Sequence, residues 1–214
     1  MHCAINLDTY ARNDLASIEA GLDRALASGE VLELYAHAPG RTVEWSDVEA
    51  VLAATSARGL SFYTYADFVH GVPPGPGVAL SFDDSYIDHW LAGSELYARY
   101  GARLTFFVAY YHELRPEQKA TLHDLERAGH TIEAHGVGHL RAPLYAEQKG
   151  VGAYMADEAI PSITAPRADG FPVTAFAYPY GARTSEIDAA LLEHVSLLRS
   201  VSFTFSGVYD PCPQ

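Results

Sequence analysis

Apolar residues along this chain recur in two rhythms that take turns. After Asn13, a candidate N-cap, Leu15, Ile18, Leu22, Ala25 and Leu26 fall at helical spacing until Gly29 ends the run. A short β-compatible run at 31–36 follows and stops at His37. Pro39-Gly40 turns the chain, and Ser46-Asp-Val-Glu49 reads as a capping box for a helix that reaches about Arg58 and closes at Gly59. Residues 60–63 predict a second short strand. The stretch 70–77 holds three prolines and three glycines, so it predicts a stiff loop with neither strand nor helix.

The alternation then continues. Residues 78–84 form an apolar run that ends in adjacent carboxylates, Asp83-Asp84. A helix over about 90–100, stopped by Gly101, leads to a strand at 103–109. Pro116 suits the first turn of a helix carrying Leu122 and Leu125, closed by Gly129. Residues 131–134 predict a strand ending at His135. A helix lies within 146–164, with Pro161 limiting its end, and 173–178 is strand-like until Pro179-Tyr180-Gly181 breaks it. Ser185 caps a helix through Leu192, and 201–205 is the last strand. Seven strands alternating with helices predict parallel βα units with right-handed connections, hence an α/β barrel, closed or incompletely closed.

Composition narrows the partners. The 214 residues are 49% hydrophobic, enough for one domain over 1–214 with its core at about 31–205. Fourteen basic against 27 acidic residues give a net charge of −13 with no basic run, which argues against nucleic acid as a partner. Cys3 and Cys212 lack metal-ligand spacing and read as free thiols or one terminus-joining disulfide. Residues 1–10 lack the basic and apolar regions of a secretory signal, so a cytoplasmic setting is the default unless a signal has been removed. The longest apolar stretch, 104–111, is too short to span a bilayer, so no transmembrane segment is expected.

Candidate chemistry gathers where predicted strands end. His37, the Asp83 and Asp84 pair, His135 with His139, and the turn 178–181 each follow a strand, and in a parallel barrel those ends share one rim. Adjacent strand residues point to opposite sides, so Asp83 and Asp84 should diverge and take different roles. One carboxylate with two imidazoles suits a catalytic Zn²⁺ or a similar divalent ion with open positions. Hydrolysis at such an ion needs a base and an acid; the spare aspartate offers the first and His37 the second.

Ser81-Phe-Asp-Asp-Ser-Tyr86, His135-Gly-Val-Gly-His139 and Phe176-Ala-Tyr-Pro-Tyr-Gly181 together resemble the leading motifs of the polysaccharide deacetylases, the NodB-homology or carbohydrate esterase family 4 enzymes. The resemblance covers about 31–205. It implies a (β/α) barrel of seven strands, incompletely closed, and a metal-dependent hydrolase acting on the N-acetyl groups of an amino-sugar-containing glycan. By position, Asp83 matches the base, and Asp84, His135 and His139 match the ligands of a divalent metal, Zn²⁺ first and Co²⁺, Ni²⁺ or Fe²⁺ after it. Tyr180 matches the tyrosine whose main-chain N–H holds the oxyanion. The family's acid histidine usually sits on a late strand; here the segment ending at His37 precedes the Asp-Asp motif. That order resembles the circularly permuted branch containing the poly-N-acetylglucosamine deacetylases.

The sequence departs from the family pattern in three places. Ser85 replaces a usual glycine. Ala177 stands where relatives carry an arginine that orients the base, leaving Arg167, Arg183 and Arg199 as unranked substitutes. No Asp and Trp motif is found near the acid histidine. Tyr178, Tyr86 and Trp90 are the expected substrate-binding residues; Trp45, Tyr110, Tyr111 and Tyr145 also lie near rim loops, although packing suits each of these rings as well. Among the other histidines, only His112 follows a strand, and a surface position suits it better than the rim. O-acetyl ester hydrolysis and a non-catalytic glycan-binding role are the alternatives.

Overall fold

The computed structural model describes residues 1–11, 13–71 and 75–202. In chain order these form β1 (His2–Asn6), α1 (Leu15–Ser28), β2 (Val31–Ala36), α2 (Trp45–Ala57), β3 (Ser61–Phe62), β4 (Gly77–Asp84), α3 (Ile87–Ala92), α4 (Ser94–Arg99), β5 (Thr105–Val108), α5 (Pro116–Arg127), β6 (Thr131–Ala134), α6 (Ala142–Lys149), α7 (Val151–Tyr154), α8 (Ile160–Ala168), β7 (Ala175–Ala177), α9 (Ser185–Leu191) and β8 (Leu197–Ser202). A π-helical turn, Met155–Ala159, joins α7 to α8. No described helix is long and apolar enough to cross a membrane.

All strand pairs are parallel, and they close a seven-membered ring in the order β2-β1-β8-β7-β6-β5-β4, with β4 pairing back to β2. The expected (β/α) barrel is therefore present, and it is closed. Its membership differs from the expectation in one respect. The strand that completes the ring is β1, whose mixed run His-Cys-Ala-Ile-Asn gives little apolar signal. The predicted strand at 60–63 survives only as β3, paired with the first two residues of β4 below the point where β5 takes over that edge. Gly77 permits the approach, because a Cβ there would lie 2.5 Å from the Ser61 carbonyl.

Other boundaries shift for local reasons. Asp14, not Asn13, caps α1 by accepting from the Ser17 N–H, while the Asn13 side chain donates to the Asn6 carbonyl. Gly93 divides the helix expected at 90–100, since a Cβ there would strike Tyr97. Pro161 opens α8 instead of ending its predecessor. The last strand begins earlier than expected, at Leu197; residues 203–205 of that expectation lie outside the described residues, as do Cys212 and residues 72–74 of the expected stiff loop.

Strand alternation splits the core in two. One face of each strand packs Leu34, Leu80, Phe82, Phe106, Ile132 and Phe176 against the helices. The other face fills the barrel with Ala79, Phe107, Ala175 and Ala177 beneath Tyr65. The interior is partly polar, holding Asp83, Glu133 and Arg199. Glu133 reinforces β7, the shortest strand of the ring: its carboxylate accepts from the Thr174 and Ala175 N–H groups, each at 2.7 Å, where the β6–β7 ladder is brief.

Outside the barrel, His130 accepts the Leu104 N–H at its Nδ1 (3.1 Å), so its ring is neutral. Burial drives its pKa down to about 4. Between about pH 6.5 and pH 4 the unfolded chain binds a proton that the folded ring excludes, so stability falls as pH falls through this window. His130→Asn keeps an acceptor for Leu104 but does not titrate. Urea denaturation should therefore show the stability lost between pH 7 and pH 5 shrinking by roughly 2 kcal/mol in the variant. An unchanged loss would show that His130 takes up its proton without cost.

Candidate active site

The carboxyl ends of the strands surround a cavity of about 490 Å³, lined by His37, Asp83, Asp84, His135, His139 and Tyr180 among others. It therefore collects every expected catalytic and metal-binding residue, from four strand ends, at one mouth. Asp83 continues the inward face of β4. Strict alternation would turn Asp84 toward the helices, but its φ of 79° breaks the pleat and brings its carboxylate within 3.2 Å of His139 Nε2 and 3.7 Å of His135 Nε2. The adjacent acids take different positions, as alternation predicts, yet face the same cavity.

One donor atom each from Asp84, His135 and His139 lies within 4.8 Å of the others. Two observations fit this set to a divalent cation. Asp84 Oδ1 is buried and accepts no hydrogen bond among the described residues. His135 places its Nδ1 2.9 Å from the Ala177 carbonyl, so Nδ1–H donates there and Nε2 is left as a lone-pair donor toward Asp84. Burial, reinforced by the Asp83 and Asp8 charges, pushes Asp84 above the usual carboxylate range; burial, reinforced by His139 and Arg199, drives His135 down to about 3. The free lone pair on His135 Nε2 and a carboxylate reluctant to hold an uncompensated charge are the states a cation would complete.

The loop between the histidines is braced from below. Glu158, buried in the π-helical turn, accepts from the N–H groups of Gly138 (2.7 Å) and Leu140 (2.8 Å), while its own carbonyl accepts from Val137. Gly136 has a φ of +85°, and a Cβ there would fall 2.7 Å from the Glu158 carboxylate. Among the described residues, the non-glycine positions with positive φ are Asp84, Tyr110, His139 and Tyr180, and all four stand at this mouth. Backbone strain of this kind persists where surrounding contacts over-determine it.

Asp83 is held from the barrel interior. Arg199 on β8 bonds its Oδ1, while its Oδ2 stays 4.0 Å from His135 Nε2. The guanidinium is enclosed by the rings of Tyr35 and Phe107, with centroids at 5.0 and 4.9 Å. Desolvation opposes the Asp83 charge, but Arg199 and the neighbouring histidines outweigh it and lower its pKa. Arg199 is the register partner of Ala177. The arginine missing from position 177 has thus moved one strand sideways. Arg167 instead bonds the Val173 and His194 carbonyls, and Arg183 pairs with Asp188.

His37 has its own partner, which the sequence reading missed. Asp8, just past β1 and wholly buried, receives the His37 Nδ1–H at 2.5 Å and the Thr42 hydroxyl at 2.5 Å, and Tyr10 donates to it at 2.8 Å. Burial works against charge on His37, but Asp8 and the nearby Asp83 prevail, and its pKa is raised. A signal was available: Cys3, Ile5 and Leu7 alternate into Asp8, the same strand-then-acid pattern seen at 78–84. Trp90 needs correction as a substrate-binding residue. It is fully buried, and its indole N–H donates to the His37 carbonyl at 2.8 Å, so it has no face to offer a ligand. Tyr86 does line the cavity. Tyr178 does too, but it is buried with its hydroxyl on Asp188 at 2.7 Å.

The seven-stranded parallel barrel thus carries an Asp-His-His cluster at its carboxyl rim, with Asp83 and His37 beside it. A model of the polysaccharide deacetylase family matches residues 70–195, more than half of the chain, and the protein belongs to that family. The match contains Asp83, Asp84, His135, His139 and Tyr180; Asp8, His37 and Arg199 fall outside it. Among solved structures, the chain is similar to the deacetylase PplD of Streptococcus pyogenes in complex with acetate (TM-score 0.60, 16% identity, 81% of this chain and 91% of that chain). It is also similar to the BpsB deacetylase domain from Bordetella bronchiseptica (0.59, 12%, 94% and 95%) and to IcaB from Ammonifex degensii (0.55, 19%, 81% and 85%). At these identities the likeness is one of fold. A comparison with curated proteins finds no match.

If Glu158 positions the ligand loop, Glu158→Ala should weaken Zn²⁺ binding by about 10–100-fold while leaving the far-ultraviolet dichroism of the protein intact. Competition with a chromophoric chelator measures this. Wild-type affinity in a folded variant would show that the loop holds its shape without the brace.

Proposed function

We propose that the protein is a divalent-metal-dependent hydrolase removing N-acetyl groups from an amino-sugar-containing oligo- or polysaccharide. The observation carrying this reading is that Asp84, His135 and His139 converge in a cavity also lined by Asp83, paired with Arg199, and by His37, paired with Asp8. A divalent ion, Zn²⁺ being well suited to one carboxylate and two imidazoles, would polarise the acetamide carbonyl and acidify a water when bound there.

The chain's own groups supply the rest. Asp83, anchored through Oδ1 by Arg199, takes the proton of the attacking water on Oδ2. As the water oxygen bonds to the carbonyl carbon, the main-chain N–H of Tyr180 donates to the developing oxyanion. His37, fixed through Nδ1 by Asp8, gives its Nε2 proton to the nitrogen as the C–N bond breaks, leaving acetate and a free amine. An amide nitrogen cannot leave as an anion at neutral pH, whereas an ester oxygen leaves with far less help. The Asp8–His37 pair therefore favours N-deacetylation over O-deacetylation.

Acetate release from N-acetylglucosamine oligomers by the metal-loaded protein tests this. Asp83→Asn should lower kcat by about 10²–10⁴-fold. Rates equal to wild type would remove Asp83 from the role of base.

A second variant separates the acid. In Asp8→Asn, His37 loses the charge that raises its pKa, so the basic limb of the kcat–pH profile should move to lower pH. A limb that stays in place assigns the proton to another group.

A further inference from the structure

We infer that the glycan is anionic, carrying negatively charged groups on units next to the one that loses its acetyl group. This rests on the deacetylase reading and adds the substrate class. Two arginines at the mouth carry it. Arg41 lies over the ring of Tyr86, with Cζ 5.4 Å from the centroid, and Arg141 lies over the ring of Tyr180 at 4.1 Å. Both tyrosines line the catalytic cavity, and both arginines are exposed. Every other described arginine bonds or pairs with a carboxylate or a main-chain carbonyl. In a protein with 27 acidic residues against 14 basic ones, most guanidinium groups find a carboxylate, and the two that bond neither a carboxylate nor a carbonyl among the described residues both stand at the rim.

Their placement is two-sided. Arg41 and Tyr86 follow β2 and β4, which are ring neighbours; Arg141 and Tyr180 follow β6 and β7, neighbours across the ring. Arg141 also stands where the catalytic cavity meets a second groove of about 330 Å³ along α6, since His139, Arg141 and Tyr180 line both. A polymer threaded through the reacting position would pass a fixed cation on either side. Tyr180 packs against His139 and Arg141 and stays half exposed, so a sugar that reaches this ring also meets the guanidinium beside it. A flat guanidinium held against an aromatic ring keeps its N–H edge free to bind an oxyanion through paired hydrogen bonds. Carboxylate and sulfate share that recognition.

The test compares kcat/KM for acetate release from three oligomers of equal length: neutral N-acetylglucosamine units, the same units alternating with a carboxylate-bearing sugar, and a sulfated counterpart. Wild type should prefer at least one charged oligomer by about ten-fold or more, with the preference falling as salt rises. The double variant Arg41→Gln, Arg141→Gln should lose that preference, and Arg41→Lys, Arg141→Lys should keep most of it. No wild-type preference for either charged oligomer overturns the inference while leaving deacetylation intact. Equal losses on neutral and charged oligomers in both double variants would make the arginines braces for the tyrosines and also overturn it. Calorimetric binding of the same oligomers to the Asp83→Asn protein reads the preference without turnover, so failure of catalysis and failure of charge recognition give different results.

Discussion

The ion pair between Arg199 and Asp83, sealed inside the barrel, is the constraint to which the rest of the site is fitted. Both side chains are almost wholly removed from water. Stripping one partner from such a pair typically costs about 3–5 kcal/mol, because the survivor is left charged in a medium that solvates it poorly. The interior is built to accept the guanidinium: Ala79, Ala175 and Ala177 keep the neighbouring positions small, and the rings of Tyr35 and Phe107 supply faces against which it lies. Alanine at 177 is thus the counterpart of arginine at 199, since their register places them side by side and the space between the strands holds one long side chain. The carboxylate fixed in this way presents its free oxygen toward the Asp84, His135 and His139 cluster.

The cluster itself is held by backbone that is costly to make and is compensated from behind. Asp84, His139 and Tyr180 adopt left-handed φ values that side chains with a Cβ rarely take. Each is locked by a neighbour: Asp84 by the β5 edge, whose Ala109 N–H donates to its carbonyl; His139 by the Glu158 brace on both sides of it; Tyr180 by the ladder bond from Tyr178 to Arg199 beneath it. The strain and its compensation lie on different elements, so the rim keeps its shape only while the barrel is closed and the π-helical turn is packed.

Much of this was legible in the residues. The strand-then-acid run at 78–84, the His-x-x-x-His loop and the Pro179-Tyr180-Gly181 break located the rim, because buried parallel strands are continuous apolar runs whose ends stand out. What escaped notice depends on contacts between residues distant in sequence. Nothing near Asp8 says that His37, 29 positions later, will bond to it. Arg199 could not be ranked above Arg167 or Arg183, because its role follows from strand register and not from its neighbours in sequence. β1 was missed because its inward residues face a small, partly polar interior and need not be apolar. Trp90 read as a surface aromatic because helical spacing does not tell which face of a short helix meets the barrel.

The early position of His37 in the chain loses its strangeness once the ring order is considered. A closed parallel barrel has no first strand; what the chemistry requires is which strands are neighbours, and the helical connections run outside the ring. The strand that delivers His37 is β2, and it pairs along its whole length with β4, which delivers Asp83 and Asp84. On the other edge of β2 lies β1, which delivers Asp8 to His37, and beyond β1 lies β8 with Arg199. Asp83, His37, Asp8 and Arg199 therefore come from four consecutive ring positions, although Asp8 and Arg199 lie 191 positions apart along the chain. A family model confined to 70–195 captures Asp83 and the Asp84, His135 and His139 cluster but stops short of both ends. Asp8 and Arg199, the partners of His37 and Asp83, stand just past one of the strands that close the ring and on the other, so closing the barrel and bringing these two pairs together are one structural event.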